Sequence, residues 1–461
     1  MQNIIRRAAA FFAAAVMLSG AALNAAAATR SDQGMIAHRL ESGEDLTDIA
    51  ERLAQAAFDH EEVIDASSYN VDGALITEVL ETMLIKHPDI FFLDRKVPAA
   101  YSVFGGKIYT IRPKYKYSAE ETQKRLGEFY AAADGYLSLV NNNMSQLEKA
   151  LVLHDAIVED ASYVLDEVES SEYELLINKK GICEDYSRVY AYLLGQLGIK
   201  TEIIGSNDME HEWLKIELGG SYYHVDITWD DPQPDRGGRV SHRFFLLSDK
   251  KISDSSYYSP HTDFECINKS ESTTYDGDAM QAISSKCCPL DGKIYCIYTL
   301  NGNHRFGTIS FRESAGSASL NFAALKDING FMWKCGENRH WNGVYTGLAE
   351  YGGRLYYNSS DEVFSYDPKS GAYGSVYKLN VTDKQLFGLR IKDDKLYGML
   401  SDTPNDNFEE TELCSLKDKV SVQVHKQSAK PKENKYAINV KSITAGAAAL
   451  IAGKEGFLFG K

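Results

Sequence analysis

Three residues far apart in the chain, a cysteine, a histidine and an aspartate, are of the types that run nucleophilic chemistry on an acyl group. Cys183 stands in Lys180-Gly181-Ile182-Cys183-Glu184-Asp185-Tyr186. Behind it Tyr186, Val189, Tyr190, Leu193, Leu194 and Leu197 recur at helical spacing, and Gly198 ends the run. The spacing predicts a helix with one buried face and Cys183 in its first turn. There the outward amides and the positive end of the helix dipole stabilise a thiolate and can hold an oxyanion. By itself such a cysteine is equally a small core residue. Glu210 to Leu218, Gly219-Gly220 and Ser221 to Pro232 then predict a tight hairpin with Leu218 opposite Ser221 and Trp213 opposite Asp226. In that register His211 and Asp226 emerge on one face as diagonal neighbours, about 7 to 8 Å apart at the backbone. Leu214, Ile216 and Leu218 pack inward on the other face. The order Cys183, His211, Asp226 supplies a nucleophile, a base and an acid that fixes the tautomer of the base. A core cysteine, a surface-strand histidine and a turn aspartate is the plainer reading, but packing does not demand all three polar types together.

These same stretches carry a resemblance. Gly181-Ile182-Cys183-Glu184-Asp185-Tyr186, the His211-Glu212-Trp213 strand and Val225-Asp226-Ile227-Thr228-Trp229 resemble the three core motifs of the transglutaminase-like superfamily. A looser similarity runs from the His154 helix to Phe244-Phe245-Leu246-Leu247-Ser248-Asp249, and the His87-Pro88 region resembles what precedes this core in some bacterial secreted members. The resemblance implies a papain-like α+β core with Cys183 as nucleophile, His211 as base and Asp226 as third member. Such folds include cross-linking acyltransferases, peptidases, deamidases and inactive relatives, so the reaction is not settled by fold. Residues 275–461 are not accounted for by it.

Other polar residues read as structure. His154, on the apolar face of its helix, reads as a hydrogen-bonded core histidine. His224, two residues from Asp226, reads as a pocket wall, with an alternative base as its rival. Asp230-Asp231-Pro232 reads as a turn, with a calcium site as its rival. Glu184 and Asp185 favour the helix start but oppose a thiolate at Cys183. Seven cysteines are an odd number, so at least one stays unpaired, and without a C-x-x-C pair no zinc site and no cofactor are expected. No Gly-rich phosphate loop, H-E-x-x-H or G-x-S-x-G is present.

The elements needed to position the three residues can be read around them. Asp72 to Lys86 has helical periodicity and stops at His87-Pro88, after which Ile90-Phe91-Phe92-Leu93 reads as extended. Tyr101–Phe104, Gly105-Gly106 and Lys107–Ile111 read as a hairpin, and Ser118 to Val140 as a charged amphipathic helix. Ser145 with Glu148 is a capping box opening a helix whose face carries Leu147, Ala150, Leu151, His154, Ile157 and Val158. From about 275 the chain becomes Tyr-rich and strand-like. Asp291-Gly292-Lys293-Ile294-Tyr295, Gly352-Gly353-Arg354-Leu355-Tyr356 and Asp393-Asp394-Lys395-Leu396-Tyr397 echo one another, with a partial fourth echo at Glu455–Phe459. Spacings of about 61, 41 and 62 residues suggest blades, with an open sandwich as the rival. The expected fold class is therefore α+β: a papain-like core with a helical N-terminal extension, followed by an all-β, propeller-like repeat. The expected divisions are a signal peptide over 1–28, an α+β extension over 29–140, the core over 141–270 and the β repeat over 275–461.

Length and charge bound what this assembly can do. A chain of 461 residues is long for a single core. A formal charge of −16 works against nucleic acid or an acidic lipid surface as partner. Arg6-Arg7, the apolar Ala8–Leu18 stretch and Ala26-Ala27-Ala28 before Thr29 read as a secretory signal, with an uncleaved anchor as its rival. The expectation is a secreted or cell-surface cysteine enzyme acting on amide bonds of a protein, peptide or cell-wall peptide, through a thioester. Acyl transfer, deamidation and peptide hydrolysis all fit it. The alternative is a catalytically inactive surface protein that binds through its β repeat.

Overall fold

Six pairs of adjacent residues with left-handed backbone set the hairpins of this chain: Gly105-Gly106, Gly219-Gly220, Asp291-Gly292, Asn301-Gly302, Gly352-Gly353 and Asp393-Asp394, all with φ between 48° and 81°. Two successive positive φ values define the turn whose twist matches that of the flanking strands. The repeated motif of the β region is thus a turn followed by the strand it launches. The computed structural model describes residues 46–417 and 435–439, apart from 95, 165–169, 207, 234, 256–257, 259–267, 278, 315–316 and 381–382. The expected signal peptide, Cys266 and the Glu455–Phe459 echo lie outside the described residues. The described chain forms two compact units interleaved along the sequence, one drawn from Met1–Leu139, Tyr163–Glu217 and Ser253–Lys269, the other from Val140–Ser162, Leu218–Ile252 and Ser270–Lys461.

In the first unit, helices Thr47–Phe58 and Ile76–Lys86 accompany a small antiparallel sheet ordered Ile64–Asp65, Lys107–Pro113, Ala99–Phe104. The Ile90–Leu93 stretch, expected to be extended, is turn-like instead. Phe91 and Phe92 are both buried, so the alternation of a half-exposed strand is absent. Phe91 instead meets Phe129 at 5.4 Å and Tyr173 at 5.0 Å between ring centroids. Helix Ala119–Leu137 starts at Ser118, whose hydroxyl accepts the Glu121 amide at 3.3 Å. Helices Glu172–Asn178 and Cys183–Gln196 follow, and then strands Thr201–Ser206 and His211–Leu218 pair antiparallel with Ser206 opposite His211.

The second unit contains helix Gln146–Asp160, opened by the expected capping box: Glu148 N donates to Ser145 Oγ (3.2 Å) and Ser145 N to Glu148 Oε2 (2.8 Å). Burial extends all round this helix from Ala150 to Glu159, wider than the single face read from periodicity. Strands Ser221–Val225 and Phe245–Leu247 pair antiparallel. The remainder forms three antiparallel sheets. The first orders Cys288–Leu290, Lys293–Leu300, Asn303–Ser314, Ser317–Asp327 and Lys435–Asn439; the second Leu348–Tyr351, Arg354–Asn358, Glu362–Asp367 and Ala372–Lys378; the third Gln385–Lys392, Lys395–Ser401 and Glu409–Ser415. The propeller-like expectation is corrected here: among the described residues no sheet closes into a ring. Three sheets are fewer than the roughly four that a ring needs. Aromatic rings fill the spaces, as with Phe306 stacked on Tyr357 at 4.9 Å. Among the described residues no helix is long and apolar enough to cross a membrane.

Candidate active site

Cys183 is the first residue of helix Cys183–Gln196 and is 8 % exposed. The first amide bonded inside this helix is that of Tyr186, donating to Ile182 O at 3.1 Å. The Cys183 amide therefore points out of the helix end, as the reading of an oxyanion donor requires. Asp185 Oδ2 accepts the Ile182 amide at 2.9 Å and caps the start. Gly181 leaves no room for a side chain, because a Cβ there would lie 2.9 Å from Leu175 Cδ1 and 3.0 Å from Asp185 Cβ. Glu184 does not leave its charge uncompensated beside Cys183, since Arg188 Nη1 lies 2.6 Å from its Oε1.

His211 opens its strand and stacks on Trp213, centroids 5.7 Å apart at 16°. Trp213 is in turn edge-on to Tyr258 at 5.2 Å. The residue after His211, Glu212, is gripped by the Cys183 helix. Arg188 Nε and Nη2 donate to the two Glu212 carboxylate oxygens, each at 3.2 Å, and Ser187 Oγ donates to Glu212 O at 3.1 Å. Ser187 is one turn along from Cys183 on the same helix face. The structure thus brings the helix of Cys183 and the strand of His211 together through buried polar contacts.

Sequence reasoning missed this lock, although Glu212 shares the parity of Leu214, Ile216 and Leu218, which were read as inward-facing. A buried acid on such a face calls for a buried cation. The strand is also covered on both sides, with Trp213 and Lys215 as buried as Leu214. Lys215 Nζ donates to Asn268 O at 2.9 Å.

Asp226 belongs to the second unit and is fully buried. The second arm of the expected hairpin, read from Ser221 to Pro232, ends as a strand at Val225. Asp226 Oδ1 accepts the Trp229 amide at 3.0 Å, its own amide donates to Phe244 O at 3.0 Å, and its carbonyl accepts the Asp230 amide at 3.2 Å. A carboxylate that satisfies the amide three residues on turns the chain out of the strand. His224 is hydrogen-bonded to Asp249 Oδ1 at 2.9 Å, and Asp230-Asp231-Pro232 lies in the expected turn region.

The second unit also holds a buried polar node that the motifs did not announce. Asp155 Oδ1 lies 2.9 Å from both His154 Nδ1 and His242 Nε2. His154 Nε2 faces Asp230 Oδ2 at 3.4 Å, and His242 Nδ1 faces Ile283 O at 3.2 Å. His154 is a hydrogen-bonded core histidine, as its place on the helix suggested. Burial works against charge on both rings, but their carboxylate partners outweigh it and push His154 up to about 9 and His242 up to about 10. Burial pushes the Cys287 thiol well up, the opposite of what a nucleophile needs. The six described cysteines are all free thiols.

Residues 136–227 match the family model described as "Transglutaminase-like superfamily". Among solved structures, one titled "Crystal structure of a TGase" is similar at 15% identity and a TM-score of 0.19, over 28% of this chain and 43% of that one. This chain thus spans less than half the length of that relative. No curated protein matches.

Proposed function

From the premise of a transglutaminase-like core over residues 136–227, we propose that this protein is a cysteine enzyme of acyl transfer or amide hydrolysis. Cys183 is the nucleophile, His211 the general base and Asp226 the acid that orients it. His211 takes the thiol proton as the sulfur bonds to the amide carbonyl carbon. The carbonyl oxygen becomes an oxyanion, which the Cys183 amide stabilises. As the C–N bond breaks, His211 returns the proton to the departing ammonia or amine and a thioester remains. Water or a primary amine then attacks the thioester, His211 taking its proton and the Cys183 thiol being restored. The substrate class is a protein, peptide or cell-wall peptide, met outside the cell after export.

The observation that carries this reading is the grip of Ser187 and Arg188 on Glu212, which ties the nucleophile's helix to the residue beside the base. The test is mass spectrometry of a glutamine-containing protein incubated with the enzyme and a primary amine. Added amine means transfer, the deamidation mass gain means hydrolysis at the side chain, and shortened peptides mean proteolysis. Cys183→Ala is expected to abolish whichever product forms, together with neutral-pH alkylation of the peptide containing residue 183. Undiminished product from the variant overturns the assignment.

A further inference from the structure

The node around Asp155 has the donors, geometry and outer partners of a metal site. Donor atoms of His154, Asp155 and His242 all lie within 4.8 Å of one another, on residues that are at most 1 % exposed. His154 and Asp155 are neighbours on helix Gln146–Asp160, but His242 lies 87 residues beyond Asp155, so its arrival at the node is not a consequence of local spacing. Histidines that ligate metals nearly always give their other ring nitrogen to a carboxylate or a backbone carbonyl, which turns the free lone pair toward the ion. Both rings satisfy this. His154 Nε2 faces the Asp230 carboxylate at 3.4 Å and His242 Nδ1 faces the Ile283 carbonyl at 3.2 Å. The remaining oxygen of Asp155, Oδ2, is fixed by the Cys287 amide at 2.7 Å. Asp230 is anchored through Oδ1 to the Phe244 amide at 3.0 Å, and Phe245 packs edge-on against His154 at 4.9 Å.

We propose that His154, Asp155 and His242 bind one divalent ion of the zinc class through Nδ1, Oδ1 and Nε2 respectively. Two imidazoles and a carboxylate are a donor set that zinc accepts, and a water completes four-coordination. The charges of Asp155 and Asp230 balance a divalent cation held by neutral rings, so the dry interior is left without net charge. The role is structural. The Asp230 amide donates to Asp226 O and the Asp226 amide to Phe244 O, so an ion that holds His154 against Asp230 also stiffens the turn carrying Asp226. This inference stands whether or not Asp226 takes part in catalysis.

The test uses the full chain without a histidine tag, expressed in zinc-supplemented medium and measured by inductively coupled plasma mass spectrometry. Stoichiometric zinc is expected in the wild type, with loss of roughly tenfold or more in His242→Gln and Asp230→Asn. To keep the test independent of how those variants fold, the wild type is also unfolded in denaturant with a chelator and refolded with or without zinc sulfate. Zinc is expected to raise its melting temperature and to remain bound after gel filtration. Wild type that is zinc-free as isolated, and that neither retains zinc nor gains thermal stability on refolding with it, overturns the proposal, as does undiminished zinc in a folded His242→Gln variant.

Discussion

Arg188 is the residue that ties the Cys183 helix to the His211 strand within the first unit. Its guanidinium forks onto Glu212, touches Glu184, and lies 3.7 Å from Glu172, all in a largely buried setting. Removing one partner of a buried pair costs about 3 to 5 kcal/mol, because the other charge is left uncompensated. Arg188→Ala is therefore expected to lower stability by about that amount, read from the shift in the urea unfolding midpoint at neutral pH. Arg188→Lys should recover only part of the loss, since an ammonium cannot present two parallel donors to one carboxylate. An unchanged midpoint in Arg188→Ala would show that the lock adds nothing to stability. The place of Cys183 at the start of its helix was legible from the sequence: glycine two residues before it, an apolar helical face behind it. Arg188 was not, because a charged residue among apolar ones declares its burial only when its partners on other elements are known.

At the scale of elements, local signals succeeded where the chain answers only to its neighbours. Ser145 and Glu148 cap their helix as the spacing required, and the paired left-handed residues turn where the dipeptides indicated. Ile90–Leu93 misled, because a short apolar run does not distinguish a strand from a turn whose side chains plug a core. The adjacent segment Asp94–Val97 gives a pH-dependent test. Burial raises the Asp94 carboxyl, but the Val97 amide (3.0 Å), the Lys114 ammonium (3.1 Å) and the Lys96 amide (3.0 Å) outweigh it and hold it below its usual range. A carboxyl lowered in this way contributes stability that is fully present above the unfolded pKa of about 3.9. That contribution fades as pH falls through the lower folded value. Asp94→Asn should thus lose stability at neutral pH and show a flatter acid limb in denaturation curves from pH 7 downward. An acid limb identical to wild type would remove Asp94 from the account.

At the scale of the second unit, one short segment joins the second and third sheets and the chain that leads into the first. Gly238 O accepts the amides of Lys286 (3.1 Å) and Leu348 (3.0 Å), and Gly237 O accepts that of Leu389 (2.9 Å). The Gly238 amide donates to Glu159 Oε2 at 2.6 Å, and Glu159 also receives Arg390 Nε on Oε1 at 3.3 Å. Gly238 has φ +72°, and a Cβ there would stand 2.7 Å from Leu348 N. Gly238→Ala therefore meets both left-handed strain and overpacking, and is expected to cost about 3 kcal/mol. Thermal unfolding of the full chain measures it, and a melting temperature equal to wild type would mean that the hub yields freely.

What the sequence by itself determined was local: the helix that starts at Cys183, the capping box at Ser145, the turns at Gly105-Gly106 and Gly219-Gly220, the strandedness after residue 275 and a motif set that matches the transglutaminase-like family model. Each follows from residues a few positions apart, whose periodicity and backbone preferences need no knowledge of the rest. The tertiary structure alone decided that Arg188 meets Glu212, that His154, Asp155 and His242 share one buried node, and that Gly237-Gly238 ties two sheets together while none of the three closes into a ring. A buried charge or a glycine at a crossing is specified by which distant segments meet there, and that meeting is set by the packing of the whole unit.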